Sequence, residues 1–163
     1  MRYLLKQKLF ALGNDFMVKD EEGNDKYFVD GKAFSIGDKL SFQDLRGTEL
    51  AFIRQKLLAW GPTYEIYRSG KLVAMVKKDL FSPLHHTFNV DVEGPDDLQA
   101  KGNLLDYEYT FRRGEVEVAA VSKQWFTLRD TYGVDIKKDE DELLILASTV
   151  VIDLSCHSSR NRR

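Results

Sequence analysis

Residues 143–156 read Leu-Leu-Ile-Leu-Ala-Ser-Thr-Val-Val-Ile-Asp-Leu-Ser-Cys. A helix on a protein surface returns a polar face about every 3.6 residues, and this run has almost none. Apolar on all sides, such a helix belongs in a protein core or in a bilayer. Length separates the two. A span takes about 20 predominantly apolar residues, whereas about 10–14 is the length of a buried core helix. Here residues 143–152 already include Ser148 and Thr149, and the stretch stops at Asp153, whose charge is costly in hydrocarbon. Asp139, Glu140, Asp141 and Glu142 precede it. Consecutive acids suit the positive end of a helix dipole, and Asp139 or Asp141 can serve as the N-cap. The run is expected to be a core helix.

Almost everything before it reads as short strands and turns. β-rich runs cover residues 3–10, 15–19, 26–29, 33–36, 39–43, 49–56, 64–68, 72–77, 86–92, 105–112 and 115–121. Ser69-Gly70 and Arg113-Gly114 are hairpin signals between two such pairs. Tyr107, Tyr109 and Phe111 alternate with Glu108, Thr110 and Arg112, the period of a half-buried strand. Residues 93–97, Glu-Gly-Pro-Asp-Asp, read as a loop. Many antiparallel strands followed by one helix without a polar face have a common solution. The sheet closes into a barrel and the helix runs through it, which also removes exposed sheet edges. The fold class is therefore mainly β, a closed antiparallel barrel around a central hydrophobic C-terminal helix.

At 163 residues the chain is sized for one domain with a real core. Residues 1–157 form it and residues 158–163 are a short basic tail. A formal net charge of −2 argues against a generic nucleic-acid binder. The single cysteine, Cys156, lies in the apolar run and has no intrachain disulfide partner. With no secretory h-region at the start, this places the expected setting in a reducing cytoplasm.

Residues 125–136, Trp-Phe-Thr-Leu-Arg-Asp-Thr-Tyr-Gly-Val-Asp-Ile, followed by the acidic helix start and Val150-Val151-Ile152-Asp153, resemble the C-terminal signature of the LURP-one-related family. Residues 61–67, Gly-Pro-Thr-Tyr-Glu-Ile-Tyr, with Leu72-Val73-Ala74 and Lys77-Lys78, resemble its middle. The resemblance covers essentially the whole chain. It implies the tubby-like fold shared by tubby C-terminal domains and phospholipid scramblases, a barrel of about twelve strands around a hydrophobic helix. It also implies lipid-related functions. Tubby domains bind phosphoinositides through basic residues on barrel strands and loops, and scramblases are membrane-linked and calcium-responsive.

Two constellations follow as candidate sites. Arg68 and Lys71 flank one hairpin, Lys77 and Lys78 follow it, and Arg112 and Arg113 flank another. Gathered together they would make a basic patch for anionic phospholipid or phosphoinositide head groups. Asp130, Asp135, Asp139 and Asp141 lie near the helix start, in the place of the scramblase calcium segment, and carboxylates are the ligand type for calcium. No other cofactor is expected. Catalytic residues are not expected either: there is no phosphate loop, zinc spacing or nucleophile elbow. His85-His86 would point to opposite strand faces, and Cys156 and His157, adjacent on a helix, do not face each other. The expected function is a non-enzymatic binding or scaffold module, peripheral at the inner membrane surface. The alternatives are a calcium-responsive scramblase-like protein and an enzyme with an external pocket.

Overall fold

The computed structural model describes residues 1–7, 15–31, 36–81, 87–125 and 131–157. Within them the strands are β1 (Arg2–Gln7), β2 (Phe16–Asp20), β3 (Asp25–Gly31), β4 (Lys39–Asp44), β5 (Glu49–Gln55), β6 (Thr63–Arg68), β7 (Lys71–Lys78), β8 (Thr87–Val92), β9 (Leu98–Asn103), β10 (Glu108–Arg113), β11 (Val116–Ser122) and β12 (Thr131–Ile136). One helix, α1 (Glu142–His157), follows. Every strand pairs antiparallel with its neighbour in sequence, and β1 pairs with β12 to close the barrel. Closure leaves no strand edge among the described residues, as the pattern of many short strands requires. The tail at 158–163, the pair His85-His86 and most of the run at 33–36 lie outside the described residues.

Strand alternation decides what fills the barrel. On β4, Leu40 and Phe42 are buried inside, and on β5 Ala51 and Ile53 take the same face. Phe16, Phe88 and Phe111 add bulk from three further strands. The remaining volume is taken by α1, in which eleven consecutive residues, Leu144 to Leu154, are buried. None of them exceeds 7% exposure, so the helix has no water-facing side at all. Two of its three hydroxyls turn back onto the helix itself, while the buried Ser148 Oγ has no hydrogen-bond partner among the described residues. Thr149 Oγ1 donates to the Ile145 carbonyl at 2.8 Å and Ser155 Oγ to that of Val151 at 2.8 Å.

The barrel has two unlike ends. Where α1 enters, short turns join the strands, among them the hairpins at Ser69-Gly70 and Gly114-Glu115. Where α1 ends, the connections include residues 36–38, 56–62, 79–81 and 104–107. At this loop end Asp153 is 4% exposed. Its carboxylate accepts hydrogen bonds from Tyr107 Oη at 2.8 Å and Tyr132 Oη at 3.1 Å. The Tyr107 ring stacks at 4.5 Å on both Tyr132 and His157.

Two expectations needed adjustment. The strand read at 105–112 starts later, because Leu104–Asp106 forms a 3-10 turn and Tyr107 has φ 56°. Strands β9 and β12 fall where the sequence pattern gives no strand.

Candidate binding surface

At the turn end the expected lipid and metal residues meet each other. Asp141 is the N-cap of α1: its carboxylate accepts from the Leu144 N–H at 3.1 Å. The same carboxylate takes two hydrogen bonds from the Arg68 guanidinium, at 2.8 and 2.6 Å. Beside it, Arg113 grips Glu140 through two bonds of 3.0 and 2.8 Å. These fork-to-carboxylate pairs fasten the start of the helix to two hairpins. Burial opposes ionisation of Asp141, but the Arg68 hydrogen bond and the helix N–H groups outweigh it and hold the carboxyl below the usual range.

The other basic candidates are separated. Lys71 pairs with Glu93 at 3.1 Å and Lys77 with Asp91 at 2.5 Å. Arg112 donates to the Glu115 carbonyl across its own hairpin. Lys77 and Lys78 close the far end of β7, about 23 Å along the strand from Lys71. Lys78 is half-buried there, near Cys156. The six cations thus do not form one patch: Arg68, Lys71, Arg112 and Arg113 flank the turns, while Lys77 and Lys78 belong to the loop end.

The carboxylate cluster does not converge either. Asp130 lies outside the described residues. Asp135 is on the outer face of β12, 3.5 Å from Arg2. Asp139 sits in the turn before α1 with φ 68°, and Asp141 is occupied as described. Among the described residues no three Asp, Glu, His or Cys side chains are grouped to hold a metal ion. Cys156 is held mostly out of water, and burial pushes its thiol up to about 11, opposed by the Lys78 charge. His157 stacks on Tyr107 with its Nε2 4.0 Å from Asp153, so the two neighbours do not make a thiolate–imidazole pair.

A different cationic group forms on the outer wall. Alternation turns Lys39 and Arg54 outward, and the barrel register sets them directly opposite each other across β4 and β5. Arg54 in turn lies opposite Glu65 on β6. Its Nε and Nη2 donate to Glu65 Oε2 at 3.1 and 2.6 Å, and Nη2 also reaches Tyr67 Oη at 2.8 Å. The Arg54 hydrogen bond holds the Glu65 carboxyl below its usual range and outweighs the opposing effect of burial. Lys56, two residues along, completes the group. Lys39 and Lys56 make no ion pair among the described residues. Lys39, Arg54, Gln55, Lys56 and Glu65 line a groove of about 570 Å³ whose other walls are Ile36, Leu57 and Leu58. Like charges directly opposite on neighbouring strands repel. One carboxylate offsets three cations here, so an anion in the groove would relieve that repulsion. The sequence pattern could show each of these side chains as outward-facing. Only the register of β4, β5 and β6 assembles them.

The helix clamp yields a measurable expectation. The side chains of Arg68 and Asp141 are 30% and 47% exposed, so Arg68→Ala should cost no more than about 1 kcal/mol. The depressed Asp141 carboxyl contributes stability that is present above its unfolded pKa of about 3.9 and lost as pH falls through the folded value. Thermal melts of wild type and variant should therefore stay apart through mild acid and converge only in strong acid, below the folded value. Curves that stay separated by the same amount at all pH values would contradict the pairing.

Comparison with known proteins agrees with this architecture. The family model described as LURP-one-related matches residues 1–153. The chain is 31% identical over 158 residues to the uncharacterized protein YxjI of Bacillus subtilis (strain 168), covering 96% of this chain and 94% of that one. A protein of Arabidopsis thaliana solved by X-ray crystallography is similar in fold with a TM-score of 0.69 at 19% identity, covering 99% of this chain and 92% of the other.

Proposed function

The chain belongs to the LURP-one-related family, with its tubby-like barrel, and on that footing we propose that it is a non-enzymatic binding module for anionic phospholipid head groups. The observation that carries this reading is the groove on β4, β5 and the loop after β5, where Lys39 and Lys56 make no ion pair among the described residues and the one lining carboxylate, Glu65, is already held by Arg54. Arg54 adds a fork of donors suited to a phosphate, once it shares Glu65. The apolar walls Ile36, Leu57 and Leu58 suit the glycerol and acyl portion beneath a charged head group.

The scramblase-like alternative asks α1 to leave the barrel. No helix of the described residues is long and apolar enough to cross a membrane. Sixteen residues extend about 24 Å, short of a hydrocarbon core of about 30 Å. Removing α1 would also expose the whole barrel lining to water. An enzyme reading needs convergent reactive groups in a concave site. Here the interior is filled by α1, and the one carboxylate lining the groove outside it, Glu65, is taken up by hydrogen bonds from Arg54 and Tyr67.

The test is co-sedimentation with phosphatidylcholine vesicles, with and without phosphatidylserine or a phosphoinositide. Binding is expected only with anionic lipid and should weaken as salt rises. Each lysine near an anionic surface contributes about 1 kcal/mol, so K39E/K56E should lower partitioning roughly tenfold or more. R68A, at the turn end, should bind as wild type. Failure of the wild-type chain to bind anionic vesicles at low ionic strength would end the reading.

A further inference from the structure

We propose that the loop end of the barrel inserts Leu58, Trp60 and Phe81 into the interfacial layer of an anionic bilayer. Leu58 is 97% exposed, Trp60 93% and Phe81 93%. Large aromatic side chains are usually buried for most of their area, and contiguous apolar surface in water marks an interaction site. All three come from the loop end, and Ile36, Leu57 and Leu80 beside them are also exposed.

The loops that carry them are packed against one another through two glycines. Gly37 has φ +74°, and a Cβ there would stand 2.7 Å from Leu57 Cδ2. Gly61 has φ +79°, and its Cβ would stand 3.0 Å from Leu80 Cδ2. The left-handed conformation and the close approach both call for glycine. The Lys78 N–H, just before the second loop, donates to the Pro62 carbonyl at 3.1 Å. Residues 36–38, 56–62 and 79–81 are thereby joined into one rim.

Charge selects the occupant. The rim shares its walls with the cationic groove: Leu57, Leu58 and Ile36 line it together with Lys39 and Lys56. Tryptophan, phenylalanine and leucine beside lysine are the residues that lodge at a membrane interface. The opposite end exposes Glu21, Glu22, Glu93, Asp96, Asp97 and Asp139, acids that outnumber the exposed Arg46, Lys71, Lys137 and Lys138 of that end and that an anionic surface repels. The charge distribution therefore turns the loop end towards the lipid. A head group held in the groove would bring Leu58 to the level of the glycerol backbone.

This inference rests on the head-group reading of the groove, and the experiment separates the two. The chain has two tryptophans, so W125F leaves Trp60 as the sole indole. Added to mixed phosphatidylcholine–phosphatidylserine vesicles, W125F should show emission shifted to shorter wavelength and quenching by lipids brominated on the acyl chain. L58S/W60S/F81S should partition at least tenfold more weakly while keeping a cooperative melt, because these side chains are in water. L58S alone should show a smaller loss and serves if the triple variant is unstable. Wild-type binding that depends on Lys39 and Lys56, with no Trp60 shift and an unimpaired triple variant, would overturn insertion and leave the groove reading standing. No vesicle binding at all would overturn both. Self-association of the wild type in solution, abolished in the triple variant without loss of vesicle binding, would assign the rim to a second copy and overturn insertion.

Discussion

Val151→Asp is expected to leave no folded protein. Val151 is fully buried at the middle of α1, and helix residues on every side of it are buried too. A carboxylate there has no face through which to reach water. Nor is any basic side chain buried among the described residues, whose buried polar and charged members are Ser41, Thr63, Glu65, Thr87, Ser122, Thr131, Ser148, Thr149 and Asp153. An unpaired buried charge costs several kcal/mol, against a total stability of about 5–15 kcal/mol for a domain. Repacking offers no escape, because the barrel is closed and its wall cannot part without breaking strand pairing. Val151→Ala is the control. It leaves a small cavity, costs about 1–3 kcal/mol and should still melt cooperatively. Circular dichroism on both variants decides the matter, and a cooperative transition for Val151→Asp would show that the helix is not the core of the fold.

That helix is the element most legible in the sequence, and the reason is physical. A run with no polar face has few environments that tolerate it, so its pattern nearly fixes its surroundings. The hairpin strands were legible for a related reason: period-two alternation on residues such as Tyr109 and Phe111 marks one wet and one dry side. Strand β9 lacks that mark. In Leu-Gln-Ala-Lys-Gly-Asn only Leu98 and Ala100 face the core, and Gly102 contributes no side chain. It is a strand because β8 and β10 on either side supply its hydrogen bonds. The binding surface was less legible still. Arg68 and Arg113 read as free hairpin cations, yet their carboxylate partners lie 73 and 27 residues away and meet them only once α1 is seated. Conversely, Lys39 and Arg54 draw no attention along the chain and become neighbours only through the β4–β5 register. Local pattern carries information about faces. Which faces become adjacent depends on how far each strand slides against the next when the barrel closes.

Asp153→Ala is expected to cost about 3–5 kcal/mol, the range for stripping one partner from a buried charged network. For a chain of this length that is a fall in Tm on the order of 10 °C. The reason lies in what remains. Tyr107 and Tyr132 both donate to the Asp153 carboxylate, and the buried Tyr132 phenol has no water to turn to in its place when the carboxylate is gone. Asp153→Asn keeps an acceptor oxygen and should lose less. The pairs Y107F/D153A and Y132F/D153A should each lose less than the sum of their single changes, since the apolar replacement removes the stranded donor. A pH signature accompanies the network. Burial first, and the Asp153 charge second, push the Tyr109 and Tyr132 phenols well above their ordinary value of about 10. A raised folded pKa means that the folded state binds the proton more tightly than the unfolded chain. Its contribution is fully present below pH about 10 and is lost as pH rises towards the folded value. Stability should therefore hold level through neutral and mildly alkaline pH and drop beyond it, with tyrosinate absorbance appearing only as the fold is lost. Tyrosinate from these two residues in a chain that still melts cooperatively would contradict their burial against Asp153.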